Sequence, residues 1–240
     1  MVAGANLAYI AALRAAFTAH ADPARAPAMQ AYMKSALPMH GIPTPLRRAL
    51  CKQVLQMHPM ADAAQLIATA QALLRGATHR EQWYAACELP RSKVPLARGA
   101  GLQLLPLFEE LLRQSAWWDC CDEISAHGLP PLLQRHPAEM KPLLRQWAQG
   151  DNLWLRRAAF LCQRGRRRPD FDAVLFYDCL IPSLGSGRFA DEFFIRKGLG
   201  WALRERAYDA PDEVRAFCAE YAAQLSPLTQ REALRVIGRA

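Results

Sequence analysis

The chain has 240 residues, of which 52% are hydrophobic, and it carries a net charge of +8 at neutral pH. This length suffices for a buried core, as one large domain or as a repeat array. No stretch of about 18 residues is both apolar and uncharged, which argues against a membrane-spanning helix. The apolar start, Met1 to Phe17, has helical spacing and lacks the basic start and cleavage site of a signal peptide, so we expect a cytoplasmic protein.

Cysteine and histidine usage gives no sign of disulfides or of metal ligands. The seven cysteines are odd in number and include no Cys-x-x-Cys pair, as expected for reduced, buried thiols. The six histidines are scattered, and none belongs to a His-Glu-x-x-His or similar cluster. We therefore expect neither a metal site nor a cofactor.

Helical periodicity runs along the whole chain and is broken by Pro, Gly, Asp and Asn. The one candidate strand, Ala173 to Ile181, fits a buried helix equally well. It precedes Gly185 to Ala190, which matches the Gly-x-Gly-x-x-Ala dinucleotide fingerprint. No other strand exists to build the sheet that this fingerprint needs, so we interpret it as a helix–helix turn. The predicted helices span roughly 5–20, 24–36, 44–57, 62–75, 79–89, 92–113, 116–127, 137–149, 152–164, 171–183, 188–208, 211–223 and 227–238.

A repeat organises the second half of the chain. Residues 151–159 and 191–199 share the pattern Asp-x-x-x-aliphatic-Arg-basic-x-apolar and start 40 residues apart, and residues 226–234 echo it weakly. A period near 40 in an all-helical chain is typical of HEAT repeats, in which helix pairs stack into a curved solenoid. The prediction is a single all-α domain over 1–240, with the second helix of each pair on the concave face.

Two indoles stand beside carboxylates at residues 117–123. Trp118 and Asp122 are four residues apart and so share one face of a helix. A π-surface next to a carboxylate suits a cationic ligand, because the ring attracts the cation and the carboxylate neutralises it. The alternative is a half-buried tryptophan with Asp122 as a solvated neighbour.

The repeat spacing brings further residues to this surface. Carried from one repeat to the next, Trp118, Arg157 and Lys197 become equivalent, and Asp122 becomes equivalent to Leu161 and Trp201. Two indoles, a carboxylate and two cations would then converge on the concave face, unless the repeats are out of phase.

Most of the positive charge lies in one segment. Residues 141–170 carry eight Lys and Arg against two Asp, a net +6 of the total +8. Such a local excess favours a polyanion partner, because neutralised phosphates release counterions. For the Arg-rich run 164–168, a solvated loop is an equally good interpretation.

Four motifs in sequence resemble the HEAT-repeat alkylpurine DNA glycosylases, the AlkD family. They are Trp-Trp-Asp-x-x-Asp at 117–122, Asp-Asn-x-Trp-Leu-x-Arg-Ala-Ala at 151–159, Glu-Phe-Phe-Ile-x-Lys at 192–197 leading into 200–205, and Tyr-Met-Lys at 32–34 followed by Gly-Ile-x-Thr-Pro-x-Arg-Arg at 41–48. The resemblance covers Phe17 to Ile237. The departures from it are Cys120-Cys121 inside the first motif and the strongly basic 164–168 run.

The resemblance implies a monomeric, monofunctional glycosylase that excises cationic N3- and N7-alkylpurines from double-stranded DNA, without a base-binding pocket, and leaves an abasic site. It implies an aromatic pair, Trp118 and Trp201, a catalytic Asp122 and a phosphate-clamping Arg157. The remaining expected DNA-binding residues are Tyr32, Lys197, Arg156, Arg48 and Lys34. The alternative is a non-catalytic HEAT scaffold that binds nucleic acid or protein through the same groove, because fold alone does not fix function.

Overall fold

The computed structural model describes residues 4–91, 94–165 and 168–237, and every regular element in these ranges is helical. The predicted all-α class is therefore confirmed. The chain divides into two compact units, Met1–Ser115 and Ala116–Ala240. The single domain predicted over 1–240 stays a prediction. Within the described residues, no helix is long and apolar enough to cross a membrane.

Unit 1 is a stack of short helices around an aliphatic core that includes Leu13, Phe17, Leu66 and Leu107. Helix α1 packs on α3, α4 packs on α5, α6 and α7, and α5 packs on α3 and α7. Its helices are α1 (Leu7–Ala19), α2 (Ala26–Met33), α3 (Thr44–Met57), α4 (Ala63–Arg75), α5 (Arg80–Glu88), α6 (Pro95–Ala100) and α7 (Leu105–Ser115), with a 3-10 helix at Gly101–Leu104.

Unit 2 contains the repeat. Its helices are α8 (Trp118–His127), α9 (Leu129–Arg135), α10 (Pro137–Gln149), α11 (Leu153–Leu161), α12 (Ala173–Leu180), α13 (Phe193–Ala207), α14 (Pro211–Glu220) and α15 (Pro227–Ala233), with 3-10 helices at Ile181–Ser183 and Leu234–Val236. Helices α8, α11, α13 and α15 pack one on the next, and we call these four the site row. Helices α10 and α12 pack on each other and on α11, and α14 packs on α13 and α15.

The repeat is confirmed between α11 and α13, which begin 40 residues apart, at Leu153 and Phe193. At α8 the register predicted from the spacing is wrong by about one turn. Measured from the helix start, Asp122, Arg157 and Lys197 are each the fifth residue of α8, α11 and α13. The reason is that α8 begins only 35 residues before α11, at Trp118.

Three differences between the predicted and the observed helices have a physical reason. The helix predicted at 92–113 is interrupted at Gly101, whose φ of 55° lies in the left-handed region. Helix α9 was missed because Pro130 and Pro131 looked like breakers, although proline is tolerated in the first turn. The helix predicted from residue 188 begins at Phe193 instead, after Phe189 with φ 64°. Residues 185–190 form the predicted turn between helices.

Glycine allows α13 and α15 to approach closely. A Cβ added at Gly200 would lie 2.5 Å from Cβ of Glu232 and 2.9 Å from the carbonyl oxygen of Thr229. The Thr229 hydroxyl in turn donates to the Arg196 carbonyl at 3.0 Å. This contact fixes the last two helices of the site row against each other.

All seven cysteines lie within the described ranges and are free thiols. Cys51 is half-buried and the other six are buried. Cys120 and Cys121 face the core, where the Cys121 thiol donates to the Trp154 carbonyl of α11 at 3.4 Å. The Cys-Cys pair that departs from the family motif therefore serves the packing of α8 on α11.

Candidate active site

An aspartate–arginine pair joins α8 to α11. The Nε of Arg157 donates to Oδ1 of Asp122 at 2.9 Å, and its Nη2 donates to Oδ2 at 3.0 Å. The remaining nitrogen, Nη1, donates to the carbonyl oxygen of Phe194 in α13. The guanidinium therefore ties three consecutive helices of the site row together, and the bidentate geometry fixes the orientation of the carboxylate.

Local sequence places the arginine. Asn152 caps α11 by accepting hydrogen bonds from the backbone N–H groups of Trp154 and Leu155, at 3.1 Å and 3.0 Å. Arg157 then crosses α13 at Gly198, where an added Cβ would lie 2.6 Å from its Nη1. Only a residue without a side chain leaves room for the guanidinium at this crossing.

Burial governs the electrostatics of the carboxylate. The Asp122 side chain is 16% exposed and that of Arg157 is 4% exposed. Burial raises the pKa of Asp122 above its ordinary value, while the Arg157 and Arg164 cations oppose this rise. The result is a fixed carboxylate that is partly withdrawn from water but still open to solvent on one side.

The two tryptophans lie on α8 and α13, the helices that Arg157 joins to α11. Trp118, the first residue of α8, stands one turn before Asp122 and is half-buried. Trp201, in α13, is also half-buried, and the guanidinium carbon of Arg164 lies 3.9 Å from the centre of its ring. Arg164 also acts electrostatically on Asp122, so Trp201 is linked to the carboxylate through this cation.

A cluster of aromatic rings supports the start of each helix. Trp117 lies 6.1 Å from Trp154 and 5.0 Å from Phe194, and Trp154 lies 5.3 Å from Phe194, all measured between ring centroids. These distances are typical of packed aromatic pairs. The cluster binds α8, α11 and α13 together and so holds the carboxylate and both flanking indoles in position.

The family model described as "DNA alkylation repair enzyme" matches residues 13–237. The chain belongs to this family. A solved structure, that of a predicted DNA alkylation repair enzyme from Enterococcus faecalis, is 30% identical, with a TM-score of 0.79, over 92% of this chain and 98% of that one. No curated protein matches. Membership places the chain among enzymes that repair alkylation damage, with DNA as the substrate.

Two further predicted DNA-binding residues of this repair enzyme lie in the site row. Arg156 is 2% exposed, and its guanidinium donates to the carbonyl oxygens of Pro182 and Gly150 at 2.8 Å and 2.7 Å. This placement favours a structural role over the expected DNA contact. Lys197 is partly exposed, and its Nζ lies 2.6 Å from Oε1 of Glu232 in α15.

The remaining predicted DNA-binding residues lie in unit 1. Tyr32, near the end of α2, is 75% exposed, and Lys34 follows at the exposed end of that helix with a left-handed φ of 48°. Arg48, in α3, donates from Nε to Glu88 at 3.2 Å and lines a cavity of about 500 Å³. All three side chains present polar or aromatic surface to solvent, as a DNA contact requires.

Carboxylates neutralise part of the positive charge of the basic segment 141–170, so the segment attracts DNA less strongly than its net charge predicts. Arg166 and Arg167 lie outside the described residues. Several of the other cations are neutralised by carboxylates of the same unit at 2.5–2.7 Å. These pairs are Lys141 with Asp172, Arg145 with Asp178 and Arg168 with Asp170.

Sequence reasoning did not single out Arg164 or Phe194, both of which complete the site. Arg164 was treated as one member of an arginine run, and it lies beyond Leu161, the last residue of α11, where helical spacing no longer indicates the direction of a side chain. Phe194 acts through its backbone carbonyl, which side-chain patterns do not reveal. Within the described residues, no group of three or more His, Cys, Asp or Glu side chains could hold a metal ion.

Proposed function

We propose that the protein is a monofunctional DNA glycosylase that excises N3- and N7-alkylated purines from duplex DNA. The observation that carries the proposal is the partly buried Asp122, fixed by Arg157 between two helices that each bring a tryptophan. Family membership supports repair of alkylated DNA, and the finer reaction follows from what this site can stabilise.

The chemistry of the lesion suits such a site. Alkylation at N3 or N7 places a formal positive charge on the purine and weakens its bond to the sugar. When that bond breaks, the electron pair leaves with the base, which becomes neutral, and positive charge moves to an oxocarbenium-like sugar. A site for this reaction must stabilise a cation and direct a water molecule to it.

Asp122 has the properties for both tasks. A fixed carboxylate stabilises the sugar cation by direct attraction, and this attraction is stronger in a partly water-excluded site than in bulk water. Arg157 donates one hydrogen bond to each oxygen of this carboxylate. Each oxygen keeps a further lone pair, which can accept a proton from the water that adds to the sugar carbon.

The indoles contribute through their π-faces. A cation over an indole ring gains about 0.5–2 kcal/mol, depending on how far it is desolvated. Trp118 stands one turn from Asp122 on the same helix, and Trp201 is linked to Asp122 through Arg164. A π-face cannot read the hydrogen-bonding edge of a base, so we propose that charge, and no base-specific pocket, selects the lesion.

The lysines of unit 2 favour hydrolysis by water over a covalent intermediate. A glycosylase that also cleaves the strand needs a free amine as its nucleophile. Unit 2 contains two lysines, and each is bound to a carboxylate other than Asp122. The product of the proposed reaction is therefore an abasic site in an intact strand.

The test is to incubate the purified protein with methylated duplex DNA and to identify every released base by chromatography and mass spectrometry. We expect 3-methyladenine and 7-methylguanine, and we expect Asp122→Asn to release neither at the wild-type rate. DNA binding without base release would identify the non-catalytic scaffold. Loss of the methyl group with the base still in place would identify another repair reaction.

A further inference from the structure

The site contains two arginines, and different contacts hold their guanidinium groups. All three nitrogens of Arg157 donate hydrogen bonds within the protein, and the residue is 3% exposed. The bidentate contact with Asp122 and the contact with the Phe194 carbonyl hold the side chain from two sides. A guanidinium in this position serves the carboxylate and presents little surface to a DNA backbone.

Arg164 is held in a different way. Its guanidinium carbon lies 3.9 Å from the ring centre of Trp201, so the contact uses the flat face of the group. The N–H donors of an arginine lie in the guanidinium plane, and stacking leaves them available for hydrogen bonds. Its Nε is buried and has no hydrogen-bond partner among the described residues.

The charge of Arg164 is only partly compensated. The carboxylates of Asp122 and Glu205 act on it electrostatically, but burial is the largest influence and lowers the pKa of Arg164. A half-buried arginine that contacts an aromatic ring through its flat face keeps the edge of its guanidinium for a phosphate, because a planar fork of N–H groups matches two phosphate oxygens.

We infer that Arg164, held flat against Trp201, makes the phosphate contact beside the reacting sugar, and that Arg157 is a positioning residue that orients Asp122. The inference rests on the proposed function in taking Asp122 as the reacting group. It moves the phosphate contact, which family resemblance gives Arg157, to Arg164: Arg157 acts through the carboxylate, and Arg164 acts on the DNA backbone. Trp201 then has two tasks, since its ring holds the phosphate-binding arginine as well as flanking the site.

The two roles differ in their dependence on salt. A phosphate contact releases condensed counterions, so its loss reduces the slope of log affinity against log salt by about 0.9. A positioning residue changes the rate of base release and leaves that slope unchanged. Binding is measured by fluorescence anisotropy on duplex DNA with a stable abasic-site analogue, from 50 to 300 mM salt, so no base release is required.

We expect Arg164→Gln to reduce the salt slope by about one contact and to weaken binding by about 5–10-fold at 0.1 M salt. Arg157→Gln should keep the wild-type slope and slow single-turnover base release by about 10–10²-fold. The matched control is Arg215→Gln, which removes an exposed arginine of α14 and should change neither quantity.

A conservative variant separates charge from folding. Arg164→Lys keeps the cation but loses the flat fork, and it should restore the salt slope if a phosphate is the partner. A wild-type slope in Arg164→Gln, or a reduced slope in Arg157→Gln, would overturn the assignment. If the wild type binds DNA but releases no alkylpurine, the proposed glycosylase activity fails, while the two slopes still decide which arginine contacts the phosphate.

Discussion

Gly198 leaves room for the guanidinium that orients Asp122, the proposed catalytic group. In α13 it faces Arg157, and a Cβ added there would lie 2.6 Å from Nη1 of Arg157 and 3.0 Å from a ring carbon of Phe160. Both distances are shorter than ordinary carbon contacts of about 3.5–4.0 Å. Phe160 is fully buried and cannot yield easily, so Gly198→Ala must displace the guanidinium.

The size of the effect follows from what Arg157 loses. Overpacking of a buried site costs about 1–3 kcal/mol, and a charge-assisted hydrogen bond contributes about 1.5–3 kcal/mol. If Asp122 must be oriented in the transition state, loss of one such bond slows base release by about 10–10²-fold, at 1.36 kcal/mol per decade. The melting temperature should fall by about 2–4 °C for each kcal/mol of lost stability.

The assay is single-turnover release of 7-methylguanine from duplex DNA, measured together with thermal unfolding. Gly99→Ala is the control, because an added Cβ at that helical position has no neighbour within 4 Å. It should keep the rate and stabilise the helix by up to about 1 kcal/mol. A Gly198→Ala protein that melts early but releases the base at the wild-type rate would show that the orientation of Asp122 by Arg157 is unimportant.

Three further predictions concern charge in the site. Asp122→Asn keeps the shape of the side chain, so DNA affinity should stay within about twofold while base release falls by about 10²–10⁴-fold, as measured in a single turnover. Burial raises the pKa of Asp122, and the proposed reaction needs the ionised carboxylate, so base release should be lost as the pH falls through a pKa above the ordinary value for aspartate. Arg157→Gln removes the cation that opposes this rise, so the loss of activity should occur at a higher pH. Trp118→Ala should slow the release of 7-alkylguanine. The wild-type protein should leave the neutral bases uracil and hypoxanthine in the DNA, and their efficient excision would contradict selection by charge.

The helices of unit 2 could be predicted because their apolar positions recur at helical spacing, and three of them begin at a side-chain cap. Asn152, Asp172 and Ser226 each accept hydrogen bonds from the first turn that follows them. Helix α9 was not predicted because its prolines were interpreted as helix breakers. In the first turn of a helix the backbone N–H groups have no partner within the helix, so proline loses no hydrogen bond there. Periodicity therefore gives the interior of a helix more reliably than its start.

The site itself was only partly predictable. The sequence indicates that Trp118, Asp122, Arg157 and Trp201 belong to one site. It does not show that Arg157 is bound to Asp122. That pairing depends on a register that the variable spacing between α8 and α11 shifts by one turn. The sequence also did not show which of the adjacent Arg156 and Arg157 is bound to Asp122. The two residues differ by about 100° around the helix and so meet different neighbours.

The Asp122–Arg157 pair is difficult to explain as a contribution to stability alone. Buried ion pairs lose the hydration of both groups, and apolar residues of similar volume are often as stable or more so. Here the pair sits where the carboxylate remains partly exposed, in a row of helices already joined by the Trp117, Trp154 and Phe194 rings. The packing that joins α8, α11 and α13 is thus present without the charges. What the charges add is a partly exposed carboxylate of fixed orientation, and the proposed reaction requires this property of the group that stabilises the sugar cation.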